Sequence, residues 1–143
     1  LFDALKETVR GGATLLGICL GMQLLARSSE EGKLNGLGLV PADVRRFKFD
    51  SHFSDLKVPH MGWNHVHPTR ALPITQDLEN DVRFYFVHSY FMECDDPNDV
   101  LFTTNHGVRF TSGIHRGNVY GVQFHPEKSH RFGLQLLQNF IRL

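Results

Sequence analysis

The chain has 143 residues, with 15 basic and 15 acidic side chains and a formal net charge of zero. That length supports one domain with its own core, and the balanced charge excludes the basic footprint of a nucleic-acid binder. No apolar run is long enough to span a membrane and no opening segment reads as a signal peptide.

Leu1, Leu5 and Val9 recur at i, i+4 and i+8 and predict a helix, ended by Arg10-Gly11-Gly12. The apolar run Ala13 to Ile18 predicts a strand buried on both faces. Leu20 to Ala26 reads as a second helix, closed by the polar run Ser28 to Gly32. The glycine-punctuated stretch Leu34 to Val40 predicts a short strand near Leu37–Val40, and Val44 to Phe49 another. Asp50 to Asp55 reads as a polar loop, and Pro68 to Asn80 as a loop with one helical turn. Arg83 to Met92, rich in aromatic and β-branched residues, predicts one strand. After a turn at Asp95 to Asn98, Val100–Asn105, Val108–His115 and Asn118–Phe124 form a predicted meander, turning at Asn105-His106-Gly107 and Arg116-Gly117-Asn118. Ser129 to Leu143 predicts a final helix with Phe132, Leu136, Leu137, Phe140 and Ile141 on one face. No repeat, linker or low-complexity tract divides residues 1–143, which read as one domain.

Two stretches carry chemistry. Gly17-Ile18-Cys19-Leu20-Gly21 is the thiol form of a nucleophile elbow, a strand-to-helix turn that lifts its central residue above a sheet. Side chains at Gly17 or Gly21 are expected to collide where strand and helix cross. The following helix directs its free N–H groups at Cys19, favouring thiolate, and Leu20 N–H is placed as an oxyanion donor. In Gln123-Phe124-His125-Pro126-Glu127, His125 and Glu127 lie two apart on a chain that Pro126 holds extended, so both face one site. Glu127 can then orient His125 as a base, and Cys19 completes a nucleophile–base–carboxylate triad. Cys19 and Cys94 lack metal or disulfide spacing, which points to a reducing cytoplasm. His60, His65 and His67 lack the Cys or carboxylate that would complete a metal set, so no metal and no cofactor is expected.

Gly17-Ile18-Cys19-Leu20-Gly21-Met22-Gln23 and Gln123-Phe124-His125-Pro126-Glu127 resemble the two signatures of the triad (class I) glutamine amidotransferases. Pro59-His60-Met61-Gly62-Trp63-Asn64 and Tyr85-Phe86-Val87-His88-Ser89-Tyr90 narrow the likeness to the glutaminase subunits of imidazole glycerol phosphate synthase. The resemblance covers the chain from about Ala13 onward. It implies an α/β fold, a flavodoxin-like mixed sheet with helices on both faces and a nucleophile elbow. It also implies that Cys19 attacks the carboxamide of L-glutamine while His125 moves protons and Glu127 supports it. Gly21, Gln23, His88, Ser89 and Tyr90 match the substrate-holding positions. Met61, Gly62, Trp63, Asn64 and Lys128 match the interface with a (β/α)8-barrel cyclase that takes up the ammonia.

The sequence departs from that family in one respect: no glycine-rich loop supplying a second oxyanion donor, and no early sheet strands, precede Leu15. Residues 1–143 are therefore expected to be the C-terminal portion of the domain, and crippled and poorly stable by themselves. A paralogue that feeds ammonia to another synthase, such as one amidating a surface sugar, carries nearly the same motifs. A hydrolase or peptidase on this fold is disfavoured by Gln23 and His88-Ser89-Tyr90. A non-catalytic regulatory module is disfavoured by the intact Cys19, His125 and Glu127.

Overall fold

Along strand β10 (Val119–Val122) successive side chains leave opposite faces of the sheet, and each face carries its own core. Tyr120 and Val122 join Phe84, Phe102 and Phe124 in one core, closed by Leu136 with Phe132 and Phe140 of helix α3 (His130–Ile141). Val119 joins the other, with Val9 and Leu5 of α1 (Phe2–Arg10) and Met22 of α2 (Leu20–Leu24). Helices thus cover both faces of a mixed sheet. Burying a side chain such as Leu136 contributes roughly 1.5–3 kcal/mol. These relations come from a computed structural model that describes residues 1–53, 55–78 and 81–143. Ser54, Glu79 and Asn80, in the loops expected over 50–55 and 68–80, lie outside the described residues.

The main sheet runs β1 (Leu15–Ile18), β10, β9 (Val108–Arg116), β7 (Tyr90–Cys94), β3 (Ala42–Arg46), β2 (Ser28–Ser29). Strand β8 (Val100–His106) pairs with β9 and also with the short β5 (His67–Pro68). β1 runs parallel to β10, with Ile18 opposite Val122, while β8, β9 and β10 form the expected antiparallel meander. Gly107 (φ +71°) and Gly117 (φ +59°) supply the left-handed conformations its two turns require. Asn118, at the second turn, donates to the Val9 and Ala13 carbonyls and ties the end of α1 to the meander. A separate antiparallel ribbon pairs β4 (His60–His65) with β6 (Arg83–His88).

Four expectations are corrected. The single strand expected over 83–92 is two, β6 and β7, which belong to different sheets and break at Ser89. The strand expected near Leu37–Val40 is absent. Instead the N–H groups of Leu37, Gly38, Leu39 and Val40 donate to the carbonyls of Leu24, Leu25 and Ala26, satisfying the end of α2. Gly36 permits this wrap, since a Cβ there would lie 2.0 Å from the Ala26 oxygen. The strand expected over 44–49 is shifted to Ala42–Arg46, where β7 pairs with it. In the run expected to be buried on both faces, Leu15, Leu16 and Ile18 are only half-buried. β1 has β10 as its one pairing partner among the described strands.

Candidate active site

Cys19 stands between β1 and α2 at φ 52°, ψ −109°, a left-handed backbone that a non-glycine residue adopts only when its surroundings enforce it. Two contacts do so. Cys19 N–H donates to the Val122 carbonyl at 2.8 Å, fastening the elbow to β10. Gly17 packs so closely on the start of α2 that a Cβ would meet the Gly21 carbonyl oxygen at 2.6 Å. The expected collision at Gly21 itself is not found: a Cβ there would meet open space, because only Gly17 faces the crossing.

The sulfur opens into a cleft of about 380 Å³ shared with Leu20, Gln23 and Glu31 on one side and Pro59, Val87, His88, Ser89 and Tyr90 on the other. The break between β6 and β7 therefore forms the wall opposite the nucleophile. Of the expected substrate positions, Gln23, His88, Ser89 and Tyr90 line this cleft and Gly21 does not. Glu31 lines it without having been marked by any spacing in the sequence, and Pro59 and Val87, quoted there within family motifs, line it without having been given a substrate role.

His125 follows β10. Its backbone N–H donates to the Tyr85 carbonyl of β6 at 2.9 Å, so the ribbon and the main sheet meet at the base. His125 Nδ1 lies 2.7 Å from Glu127 Oε1. A carboxylate accepts only, so Nδ1 carries the proton and Nε2 is the free base. Nε2 is buried and has no hydrogen-bond partner among the described residues. The base–carboxylate pair is thus formed, while the Nε2 lone pair is uncommitted.

Cys19 departs from one expectation. Burial pushes its thiol above the usual range, and the Glu127 and Glu31 carboxylates push the same way. Hydrogen bonds from Leu20 N–H and the Gln123 side chain pull it down but do not prevail.

The wall of the cleft is held by a hydrogen-bond chain that sequence reasoning did not find. His88 Nδ1 lies 2.7 Å from the Tyr90 carbonyl and His88 Nε2 lies 2.8 Å from His60 Nδ1. His60 Nε2 meets the Asn64 side-chain amide at 3.1 Å. Because the Tyr90 carbonyl can only accept, His88 donates to it from Nδ1. His88 Nε2 then accepts from His60 Nδ1–H, and Asn64 donates to His60 Nε2. Desolvation, then mutual repulsion, holds the His60 pKa down to about 3; burial holds that of His88 down to about 4. Both are neutral. Gln23 donates a second bond to the Tyr90 carbonyl at 3.2 Å. That carbonyl is therefore filled, and neither it nor the His88 ring is free to hold a ligand.

The expected interface residues divide. Met61 and Trp63 are exposed on β4, and Trp63 stacks on His130 at 5.5 Å and 3°. Lys128, directly after Glu127, is exposed as well. Gly62 is half-buried. The Asn64 side chain turns to His60 and the Asn105 carbonyl. His65 pairs with Asp81 at 2.8 Å, away from His60.

Residues 2–143 match the family model described as glutamine amidotransferase class-I. A relative from Methanococcus maripaludis, named imidazole glycerol phosphate synthase subunit HisH 2, is 50% identical over 143 residues, covering 99% of this chain and 69% of the relative. A Bdellovibrio bacteriovorus protein named subunit HisH of the same synthase is 52% identical over 126 residues, covering 88% of this chain and 62% of the relative. The chain thus spans about two thirds of the length of these relatives. A glutamine amidotransferase of Thermotoga maritima shares the fold, with a TM-score of 0.67 at 22% identity over 99% of this chain and 52% of that one.

Proposed function

The chain belongs to the class-I glutamine amidotransferase family, and from that membership we propose that it hydrolyses L-glutamine to glutamate and ammonia. In this reading it is part of the glutaminase subunit of an imidazole glycerol phosphate synthase. Its ammonia passes to a (β/α)8 cyclase subunit in histidine biosynthesis, as the family resemblance implies; that its relatives are named subunits of the synthase supports a partnered role. One observation carries the reading: a strained elbow presents Cys19 to an open cleft, while the His125–Glu127 pair follows the adjoining strand.

Burial pushes the Cys19 thiol up, and His125 Nε2 takes its proton as the sulfur attacks the glutamine carboxamide carbon. The Leu20 N–H stabilises the resulting oxyanion. His125 then returns the proton to the nitrogen, the C–N bond breaks and ammonia leaves a thioester on Cys19. Next, His125 removes a proton from water, hydroxide adds to the thioester, and glutamate leaves as the sulfur is reprotonated. Glu127 keeps Nδ1 protonated throughout and balances the imidazolium. The Glu31 carboxylate, across the cleft from the β6–β7 wall, suits the α-ammonium of glutamine. Gln23 spends its Nε2 on Tyr90 and Gln123, leaving Oε1 to accept from substrate. Met61, Trp63 and Lys128 supply the exposed surface for the cyclase, with Trp63 as anchor.

The test is glutamine turnover by the full-length protein with its cyclase. Cys19→Ser and His125→Ala should each lower kcat by at least about a thousandfold with the complex intact. Turnover unchanged by Cys19→Ser would overturn the reading.

A further inference from the structure

The Gln123 side chain is fully buried two residues before His125 and lies between Gln23 and Cys19. Which end of its amide faces the sulfur is settled by an acceptor several bonds away. The Tyr90 carbonyl only accepts, so Gln23 turns Nε2 toward it. The same Nε2 lies 3.1 Å from the Gln123 side chain and donates its second hydrogen there, so Gln123 presents Oε1 to Gln23. Gln123 Nε2 is left facing Cys19 Sγ at 3.7 Å. The other donor on the Tyr90 carbonyl is His88, whose tautomer is set through His60 by Asn64. An unbroken sequence of hydrogen bonds therefore runs from β4 to the nucleophile.

Resting on the glutaminase reading above, we propose that Gln123 is a catalytic residue whose side-chain N–H stabilises the Cys19 thiolate, and that the Tyr90 carbonyl, acting through Gln23, fixes the amide in that orientation. Negative charge appears on the sulfur when His125 takes its proton, and again when the thioester is cleaved. An N–H held on the sulfur strengthens at both moments, since hydrogen bonds to an anion are stronger than those to a neutral acceptor. Its partner amide is buried, so it needs no reorganisation as the charge develops. Leu20 N–H, at the start of α2, acts alongside it. The charged groups facing Cys19 are Glu127, on the turn after β10, and Glu31, on the loop after β2. Both oppose the thiolate and give the amide its task.

The experiment is the pH dependence of Cys19 alkylation by iodoacetamide in the full-length protein with its cyclase, resolved by peptide mass spectrometry. Cys94 is the internal control, its pKa pushed up to about 12 by burial. Gln123→Met keeps the shape and removes the donor; Gln123→Glu keeps the shape and replaces the donor with an acceptor. Each should move the Cys19 midpoint up by about one pH unit or more and lower kcat about tenfold, with KM nearly unchanged. A wild-type midpoint in either folded variant would overturn the proposal. The unsubstituted protein provides a further reading that requires no variant to fold. Alkylating Cys19 should shift the NMR signals of the Gln123 side-chain amide, and unshifted signals would also overturn the proposal. A wild-type complex without glutamine turnover would overturn the glutaminase reading and this one with it. An unchanged midpoint in an active complex overturns the role of Gln123 alone.

Discussion

Gly133 tests whether the catalytic turn is held by backbone contact. In the first turn of α3, Gly133 faces the Pro126 peptide between His125 and Glu127, and a Cβ there would sit 1.7 Å from the Pro126 oxygen and 2.5 Å from its carbonyl carbon. Both atoms belong to backbone, so no rotamer can relieve the clash. Restoring the shortest real contact, 3.0 Å, requires the turn or the helix to move by roughly 1.3 Å. The Ser129 hydroxyl, which donates to the His125 carbonyl and accepts from Tyr85 N–H at 3.0 Å, resists that movement. Gly133→Ala should therefore cost about 1–3 kcal/mol of stability. It should also displace Glu127 from the 2.7 Å bond to His125, and a misplacement of that size lowers kcat about a hundredfold. The assay is glutamine turnover by the full-length complex, with a thermal melt on the same samples. Alkylation of Cys19 should persist, since the elbow is untouched. A Gly133→Ala protein with wild-type melting temperature and kcat would refute the reasoning.

Two further outcomes follow from the site. His60 and His88, with pKa values held down to about 3 and about 4, stay neutral when folded but take up protons near pH 6.5 when unfolded. Stability is fully present above pH 6.5 and is lost as pH falls toward 4 and 3, because the unfolded chain then binds more protons. Melting temperatures should decline through that window, less steeply in a His60→Phe, His88→Phe double variant; parallel profiles would count against the buried neutral pair. Trp63→Ala should weaken the complex with the cyclase about thirtyfold, the effect of losing an anchor worth about 2 kcal/mol. Calorimetric titration would read this, and an unchanged Kd would remove Trp63 from the interface.

The elbow and the His125–Glu127 pair were legible because each is encoded locally. Two glycines around Cys19 specify an elbow, and His125 and Glu127 are two apart on an extended chain. What spacing cannot report is the neighbour across space. Period-two alternation continues through Ser89, yet the strands on either side pair with β4 and with β3. The apolar residues of Leu34–Val40 look strand-like, but their N–H groups serve a helix end instead. His60 and His88 are separated by 28 residues and acquire meaning only when β4 and β6 pair. Gln123 was visible as part of a motif, but its contact with the sulfur depends on Gln23 a hundred residues earlier. The upward push of burial on the Cys19 thiol depends on depth, which a sequence does not print.

The pairing of β1 with β10 also fixes an order of events during synthesis. Cys19 leaves the ribosome 104 residues before Gln123, and β1 has no other strand to pair with among the described residues. At about 5–20 residues per second, some 5–20 s pass before Gln123 and the turn that carries His125 are made. Through that interval Cys19 has neither His125 nor Gln123 beside it. The nascent chain thus carries Cys19 on its own, and its surroundings in the fold come into being only when β10 and the turn after it are laid down.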